Sequence, residues 1–545
     1  MVQKIGFFLQ TWQWWIMAGG GAVIGLSLLL GAFSENKSIW LRLAFASFIL
    51  LAGSAAFWNF VVSASFPVQP WGWKHAGVAA CWAVAAALIT NPLLRVLRPA
   101  LNRAADAATL KTGLERNRKT DVRNIHQSLP TVAAAFDPVR FWRSGKTFLG
   151  LGAGGKPVEA PERFPHTLVL GTTGAGKGVI LSQIAAQAMA RDEAVFFLDP
   201  KNDEWAPSVL ASIAARAEKK FHFVDLRPGA GYQLNLLAGA DEHQLFELFS
   251  AGFSLGEKGT DADFYRLADR QAAKRAAKIC AAENLTAAQL LAKMDGELDD
   301  APAFQGYLKE MADLEAVNAG TGGLDLHQIV NEGGAVYVVG SMRNAAVIRM
   351  QRMMLVRLIQ LAEDRDRTEA LRSVCIVLDE LKCHVSRPAV EALGAARDKG
   401  VHLVLAAQSL GDLRDTPADL DKDAVVQAVT ENTPIKILYR LEDPRTAQLM
   451  AEKSGRIQAD DELRKIKRGA GMVEIVDDER QIRQTETFLV DQNQLQNLRP
   501  RQAVLYGLGL PQFISTSHIA CQKQNLKPRV VAGFQPQPAV EINIQ

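Results

Sequence analysis

Apolar positions divide the chain into two regions of different character. In the first, Ile5–Ser34 runs for 30 residues without a charge, and Leu43–Trp73 is again uncharged and apolar to about Ser65. Ala76–Leu94 adds 19 uncharged, alanine-rich residues. A bilayer core is crossed by about 20 apolar residues in a helix, so the pattern predicts spans near 11–33, 43–65 and 76–94. Trp12, Trp14 and Trp15 stand where interfacial aromatics belong, and the first stretch is too long for the apolar part of a signal peptide. In the second region short β-type runs alternate with helical ones. His166–Leu170, Ala194–Leu198 and Phe221–Leu226 read as strands and Gly178–Ala190 as a helix. Strand runs return at Ala335–Val339, Val374–Leu378, His402–Ala406, Ile435–Tyr439, Val473–Val476 and Ala503–Tyr506. This alternation predicts an α/β fold around a mainly parallel sheet with crossover helices.

Between Asp241 and Ala319 strand runs almost vanish, which predicts an inserted all-α domain. The expected organisation is an anchor over 1–94, a basic helical connector over 95–150, and a nucleotide-binding domain in two parts, 151–240 and 323–520. The insertion would occupy 241–322, and a flexible polar tail 521–545. The Gly- and Pro-rich stretch from Gly150 to Pro165 reads as a loop.

Charge fixes the orientation. Residues 1–94 carry only Lys4, Glu35, Lys37, Arg42 and Lys74 as charged side chains. Residues 95–123 then hold eight basic and three acidic ones, so the positive-inside rule puts the body in the cytoplasm. The same segment could contact anionic inner-membrane lipid. The whole chain of 545 residues has a net charge of only +3, which excludes a histone-like polycation, and five cysteines without a CxxC pair exclude a disulfide scaffold.

The chemistry gathers in three motifs. Gly171-Thr172-Thr173-Gly174-Ala175-Gly176-Lys177-Gly178 matches G-x-x-x-x-G-K between a strand and a helix. Its amides would cradle the phosphates of ATP, and Lys177 would reach the β- and γ-phosphates. Gly178 stands where Ser or Thr usually supplies a hydroxyl to Mg²⁺, a coordination position that water can fill. Val374–Leu378 followed by Asp379-Glu380 has the form of a buried strand ending in acids. Asp379 would hold Mg²⁺ through water and Glu380 would orient the attacking water, although two acids can also cap a following helix. Gln408, at the end of the run His402–Ala407, could sense the γ-phosphate. Asp199 and Lys201 follow another strand and could frame the same site or simply make a turn. Cys383-His384 has no second pair at metal-ligand spacing.

Membrane spans, this phosphate loop, a helical insertion, the acidic strand end and Glu391…Arg397-x-Lys399-Gly400…Gln408 together resemble the type IV secretion coupling proteins of the TraG/TraD group. The Lys177-Gly178 ending is common in that family. The resemblance covers roughly 160–510 and the architecture of the anchor, although the family commonly has two spans and three candidates occur here. It implies a RecA-like, homo-hexameric ATPase at the bacterial inner membrane. Such a motor would link relaxase or relaxosome proteins to the subunits of a secretion channel and drive single-stranded DNA through it. It also implies that Arg397 acts in a neighbouring subunit's site, with Arg343, Arg440 and Arg445 as rivals.

Direct support for DNA contact is divided. Arg266, Arg270, Lys274 and Lys278 recur at i, i+4 and would share one helix face along a phosphate backbone. Yet residues 241–319 hold eight basic and 15 acidic residues, so a solvated face explains the stripe equally well. Arg464, Lys465, Lys467 and Arg468 could line a pore or form a surface loop. Two other functions fit the same motifs: a nucleotide-binding receptor for protein effectors, and a double-stranded DNA translocase of the FtsK/HerA type. The latter would be expected to carry more spans, a long linker and a terminal winged-helix domain.

Overall fold

The computed structural model describes the chain apart from residues 1, 34–36, 67, 87, 89–124, 163, 258–261, 367, 369–370, 418, 469–473 and 534–545. The described residues form two compact units.

The body is built on one 11-stranded sheet. Seven strands run parallel: β3 (Thr167–Leu170), β4 (Ala194–Asp199), β5 (Phe221–Asp225), β6 (Gly334–Val339), β7 (Val374–Leu378), β8 (Val401–Ala407) and β9 (Ile435–Leu438). Their order is β9-β3-β8-β7-β4-β6-β5. Every residue of β3, β4, β6, β7, β8 and β9 is buried, as expected of parallel strands covered on both faces. All seven strands were legible as β-runs. Four antiparallel strands extend the sheet beyond β9 in the order β12 (Gln502–Tyr506), β13 (Gln512–Ser515), β1 (Lys146–Leu151) and β2 (Pro157–Pro161).

Three expectations differ from the structure here. The stretch Gly150–Pro165 is not a loop, since most of it lies in the β1–β2 hairpin. Its small residues reflect close packing: a Cβ on Gly150 would lie 2.7 Å from the carbonyl oxygen of Ser515. The same strand, β1, enters the expected helical connector 95–150, where among the described residues helix is found only at Ile125–Ser128 and in a 3-10 turn at Pro138–Phe141. Residues 95–124 of that connector lie outside the described residues. The expected flexible tail also begins with a docked segment. Val531 N–H donates to the Tyr232 carbonyl (2.9 Å), and Gly533 bridges Ala319. Hydrogen bonds rather than apolar periodicity hold it, so its polar composition conceals it.

The insertion is helical. Helices Glu242–Phe253, Leu267–Glu283, Ala287–Lys293 and Pro302–Ala312 lie between β5 and β6. Two of them open on capping boxes, at Asp241/Gln244 and Thr286/Gln289. Their apolar faces meet in Phe249, Phe253 and Phe304, whose rings lie 5.5–5.7 Å apart.

The other unit holds the N-terminal helices. Val2–Phe33 is one 32-residue helix covering the first expected span. A second, Lys37–Phe57, continues through a π-helical turn, Trp58–Val62, to Ser65. Among the described residues one helical stretch, Trp40–Ser65, is long and apolar enough to cross a membrane. The third expected span is helical over 73–86 and otherwise lies mostly outside the described residues. This helix packs on the first where Gly21 and Gly25, four residues apart, leave no room for a Cβ against the backbone of Ala79 and Ala83. Strands β10 (Arg456–Arg468) and β11 (Glu474–Phe488) pair as a separate two-stranded sheet. Arg464, Lys465, Lys467 and Arg468 therefore fall on a strand rather than in a loop.

Candidate active site

The C-terminal ends of the parallel strands are where ligands bind in open α/β sheets, and all three motifs arrive there. β3 leads into the loop 171–176, and helix Lys177–Ala190 starts on Gly176 without a side-chain cap. Its first amides are thus left for an anion. Gly171, Gly174 and Gly176 take φ of +154°, +76° and +123°, values that L side chains rarely adopt. Crowding reinforces the choice at two of them. A Cβ on Gly171 would lie 2.6 Å from Tyr439 Cβ, and one on Gly176 would lie 2.9 Å from the Tyr439 ring. Around Gly178 a Cβ would meet nothing within 4 Å, so the position lacking the usual hydroxyl opens on free space.

Lys177 is buried, and its ammonium donates to the carbonyls of Gly171 (2.5 Å) and Thr172 (3.3 Å). Burial and, next, the charge of Lys201 lower its pKa below the usual lysine value. β7 delivers Asp379, whose N–H bonds to the Leu198 carbonyl of neighbouring β4 (3.0 Å). Burial raises the Asp379 pKa against the pull of Lys201. Glu380 takes the left-handed conformation (φ +48°) and is 1% exposed. Its Oε1 accepts from Gln408 Nε2 (3.3 Å) and from the Lys201 ammonium, while Oε2 is buried without a hydrogen-bond partner among the described residues. Burial alone would raise the Glu380 pKa, but Lys201 and Gln408 hold it below the ordinary glutamate value.

Lys201, which the sequence left between a framing role and a turn, is therefore central. Its ammonium also lies 3.4 Å from Asp379 Oδ2, and the two acids raise its pKa despite burial. The segment that carries it is tied to Asp199, whose carboxylate accepts from the amides of Lys201 (2.8 Å) and Asp203 (2.5 Å) and from the Tyr337 hydroxyl (2.5 Å). His384 is fully buried, with its pKa lowered to about 4 by burial and Nε2 3.1 Å from the Asp379 carbonyl. It supports the acidic turn, and no metal-binding cluster occurs among the described residues.

A cavity of about 680 Å³ opens on these groups. Thr172–Gly174, Gly176–Gly178, Lys201 and Asp379 line it, as do Trp205, Arg501 and His518–Cys521, which the sequence did not single out. Arg501 carries no motif. Its φ of +66° and the bond from its N–H to the Ala175 carbonyl (2.9 Å) place it against the loop.

Two groups of expected residues lie elsewhere. Arg397 is exposed on a 3-10 turn, Ala396–Lys399, before the start of β8. It stands at the opposite end of that strand from Gln408, outside its own subunit's phosphate site. The row Arg266, Arg270, Lys274, Lys278 does not present one uniform cationic face. Arg270 turns inward, donating to the Asp263 carbonyl (3.1 Å) and pairing with Glu257 (3.2 Å). Arg266 lines a small cavity with Arg349 and Arg352, and Lys274 lies over the Phe246 ring, 5.5 Å from its centre. Lys274 and Lys278 remain exposed.

Comparison with known proteins agrees with this geometry. Residues 373–500 match the family described as the TraM recognition site of TraD and TraG. The chain is 32% identical over 324 residues to mobilization protein A of Escherichia coli, covering 58% of this chain and 60% of that protein. The chain thus spans about three-fifths of the length of that relative. Among solved structures, the bacterial conjugative coupling protein TrwBdeltaN70 superposes with a TM-score of 0.55 at 14% identity, covering 74% of this chain and 97% of that one. TrwB in complex with ADP and Mg²⁺ gives a TM-score of 0.52 at 15% identity over 73% and 97% of the two chains. The RecA-like P-loop fold is therefore the observed one, and over residues 373–500 the chain is similar to the TraD and TraG proteins of type IV secretion.

Proposed function

We propose that the chain is a membrane-anchored ATPase that couples DNA-processing complexes to a type IV secretion channel and drives single-stranded DNA, with its attached relaxase, into transfer. The observation that carries this reading is that the glycine loop, Lys177, Lys201 and Asp379 line one 680 Å³ cavity, with Glu380 held behind it by Lys201 and Gln408. The residues fit Mg·ATP. The loop is a cradle that side chains would fill, and the solvent-facing carboxylate of Asp379 is a hard oxygen donor. Asp379 would hold Mg²⁺ through water, and the metal, when bound, supplies charge neutralisation between the phosphates. Lys177 compensates phosphate charge. Glu380, kept ionised by its neighbours, has one carboxylate oxygen without a donor among the described residues, able to accept a proton from a water and orient it. Gln408 fixes the other oxygen and so sets the direction of that acceptor.

Relaxosome proteins are the expected partners of the region 373–500, given the family to which it is similar. TrwB has been solved with ADP and Mg²⁺ and with a non-hydrolysable ATP analogue, which favours the same ligands here. An apolar helix such as Trp40–Ser65 would hold the motor at the inner membrane, and a homo-hexamer would give Arg397 a neighbour's site to complete. The test is ATP hydrolysis by the full-length protein in detergent, with and without single-stranded DNA. Hydrolysis that rises with DNA and vanishes in Lys177→Ala supports the reading. Hydrolysis indifferent to single-stranded DNA but raised by protein effectors would move the function to an effector receptor.

A further inference from the structure

The phosphate loop accounts for only part of the cavity it opens on. Phosphates bound by Gly174–Lys177 leave the nucleoside to extend into the remaining volume. That volume is walled by Val179 and Val209, by the half-exposed indole of Trp205, by Arg501 and by His518–Cys521. The last four residues belong to a segment that follows β13 and crosses the mouth of the site.

This segment is firmly held at both ends. Thr516 N–H donates to the Arg501 carbonyl (2.8 Å), and Thr516 Oγ1 lies 3.1 Å from the Tyr439 hydroxyl. Beyond the crossing, Lys523 pairs with Glu204 (2.7 Å), while Gln524 donates from its amide to Ser208 Oγ (3.0 Å) and from Nε2 to Ser212 Oγ (3.1 Å). Between these anchors Ile519 inserts into the core beneath, leaving His518 and Ala520 exposed beside it. Among the described residues none of the backbone N–H and C=O groups of His518–Cys521 pairs with the protein. An extended strap with unpaired donors and acceptors, beside apolar walls and an indole, suits the polar edge and flat faces of a base. Those groups are satisfied by water in the free protein and are therefore available to a ligand.

We propose that His518–Cys521 form the nucleoside end of the site and bind the base of a purine nucleotide through their backbone, with the strap pre-set by its two anchors. The inference rests on the nucleotide-binding reading above and adds to it the element that holds the base.

Cys521 makes the test direct. It lines the cavity and is partly accessible, whereas Cys280, Cys375 and Cys383 are buried and Cys81 can be changed to Ser. The full-length chain carrying Cys81→Ser is alkylated with N-ethylmaleimide at mildly alkaline pH, alone, with ADP or with inorganic tripolyphosphate, while ADP binding is followed by equilibrium dialysis. At ADP about ten times its Kd the modification of Cys521 is expected to slow about tenfold, and tripolyphosphate, which reaches only the loop, should leave it unchanged. Equal alkylation with ADP bound, or equal protection by tripolyphosphate, overturns the inference and leaves nucleotide binding intact. Absence of ADP binding altogether overturns both. A second variant, Ala520→Trp, fills the slot without touching the loop. Its Kd for ADP should rise by about tenfold or more, the scale of one lost contact worth about 1.4 kcal/mol, with tripolyphosphate affinity unchanged. Unaltered ADP affinity in that variant also overturns it.

Discussion

Lys201→Ala isolates the electrostatics of the site. The ammonium contacts Glu380 Oε1 and lies 3.4 Å from Asp379 Oδ2, beside acids 1% and 14% exposed in their side chains. Two unit charges about 4 Å apart interact by about 1 kcal/mol in water and about 4 kcal/mol at an effective dielectric of about 20. Lys201 is 31% exposed, so its removal falls between those limits, at about 2–3 kcal/mol of lost stability. At about 2 °C per kcal/mol for a large domain, the melting temperature should fall by about 5 °C. The pH dependence identifies the cause. Glu380, now held below its ordinary pKa by Lys201, contributes stability above the unfolded value that is lost as the pH falls through the folded one. Without Lys201 two adjacent buried carboxylates remain, and their pKa values rise above the unfolded ones. Such groups destabilise as pH rises, so the deficit should be full near neutrality and disappear only as the pH falls through the lowered folded-state pKa of Glu380 in the parent, where both acids are protonated. Scanning calorimetry of the full chain in detergent from acid to neutral pH measures this directly, with Lys201→Arg as the charge-preserving control. A deficit that persists undiminished in acid, or none at neutrality, would refute the assignment of Lys201 as the counter-charge.

Three further outcomes follow from the same geometry. Glu380→Gln should retain ATP and lose turnover by about 10²–10³-fold, the scale of a general base; turnover at the parental rate would mean that another residue orients the water. Gly178→Ser meets open space at a helical position, so it should gain about 0.5 kcal/mol in thermal stability and lower the Mg²⁺ concentration needed for half-maximal hydrolysis; an unchanged Mg²⁺ requirement argues against metal at that position. Arg397→Ala should bind ATP normally and lose turnover by about 10³-fold, with activity partly restored on mixing with Lys177→Ala subunits; no rescue in rings shown to have mixed rejects its action across the interface.

The parallel sheet was legible because its strands are buried on both faces and so read as continuous apolar runs, from Leu168 to Ile437. The phosphate loop, Asp379, Glu380 and Gln408 were legible for a related reason: each stands at the end of such a run. The hairpin β1–β2 was not, because Gly150 and Gly152 serve close packing and carry no apolar signal. The surroundings of the cationic row were not legible because helical spacing fixes a face but not what that face meets. Arg270 finds Glu257 and the Asp263 carbonyl, partners that periodicity does not report. Lys201 needed the fold, since only the adjacency of β4 and β7 brings the residue after one strand to the acids after the other.

The glycines of the loop make the same point from inside a motif. Gly174 has open space around it and is required by its backbone angle alone. Gly171 and Gly176 answer in addition to Tyr439, and Gly176 to Arg501, whose Cα would lie 3.3 Å from an added Cβ. Tyr439 follows β9 and Arg501 precedes β12, and those two strands pair antiparallel. The phosphate loop is therefore pressed from behind by a part of the sheet that enters the fold more than 250 residues later in the chain. The segment that continues from that part, through Thr516 to Cys521, then closes the far side of the same cavity. Loop conformation and cavity wall thus depend on one C-terminal element, and a change in the seating of β12 and β13 would alter phosphate and nucleoside binding together.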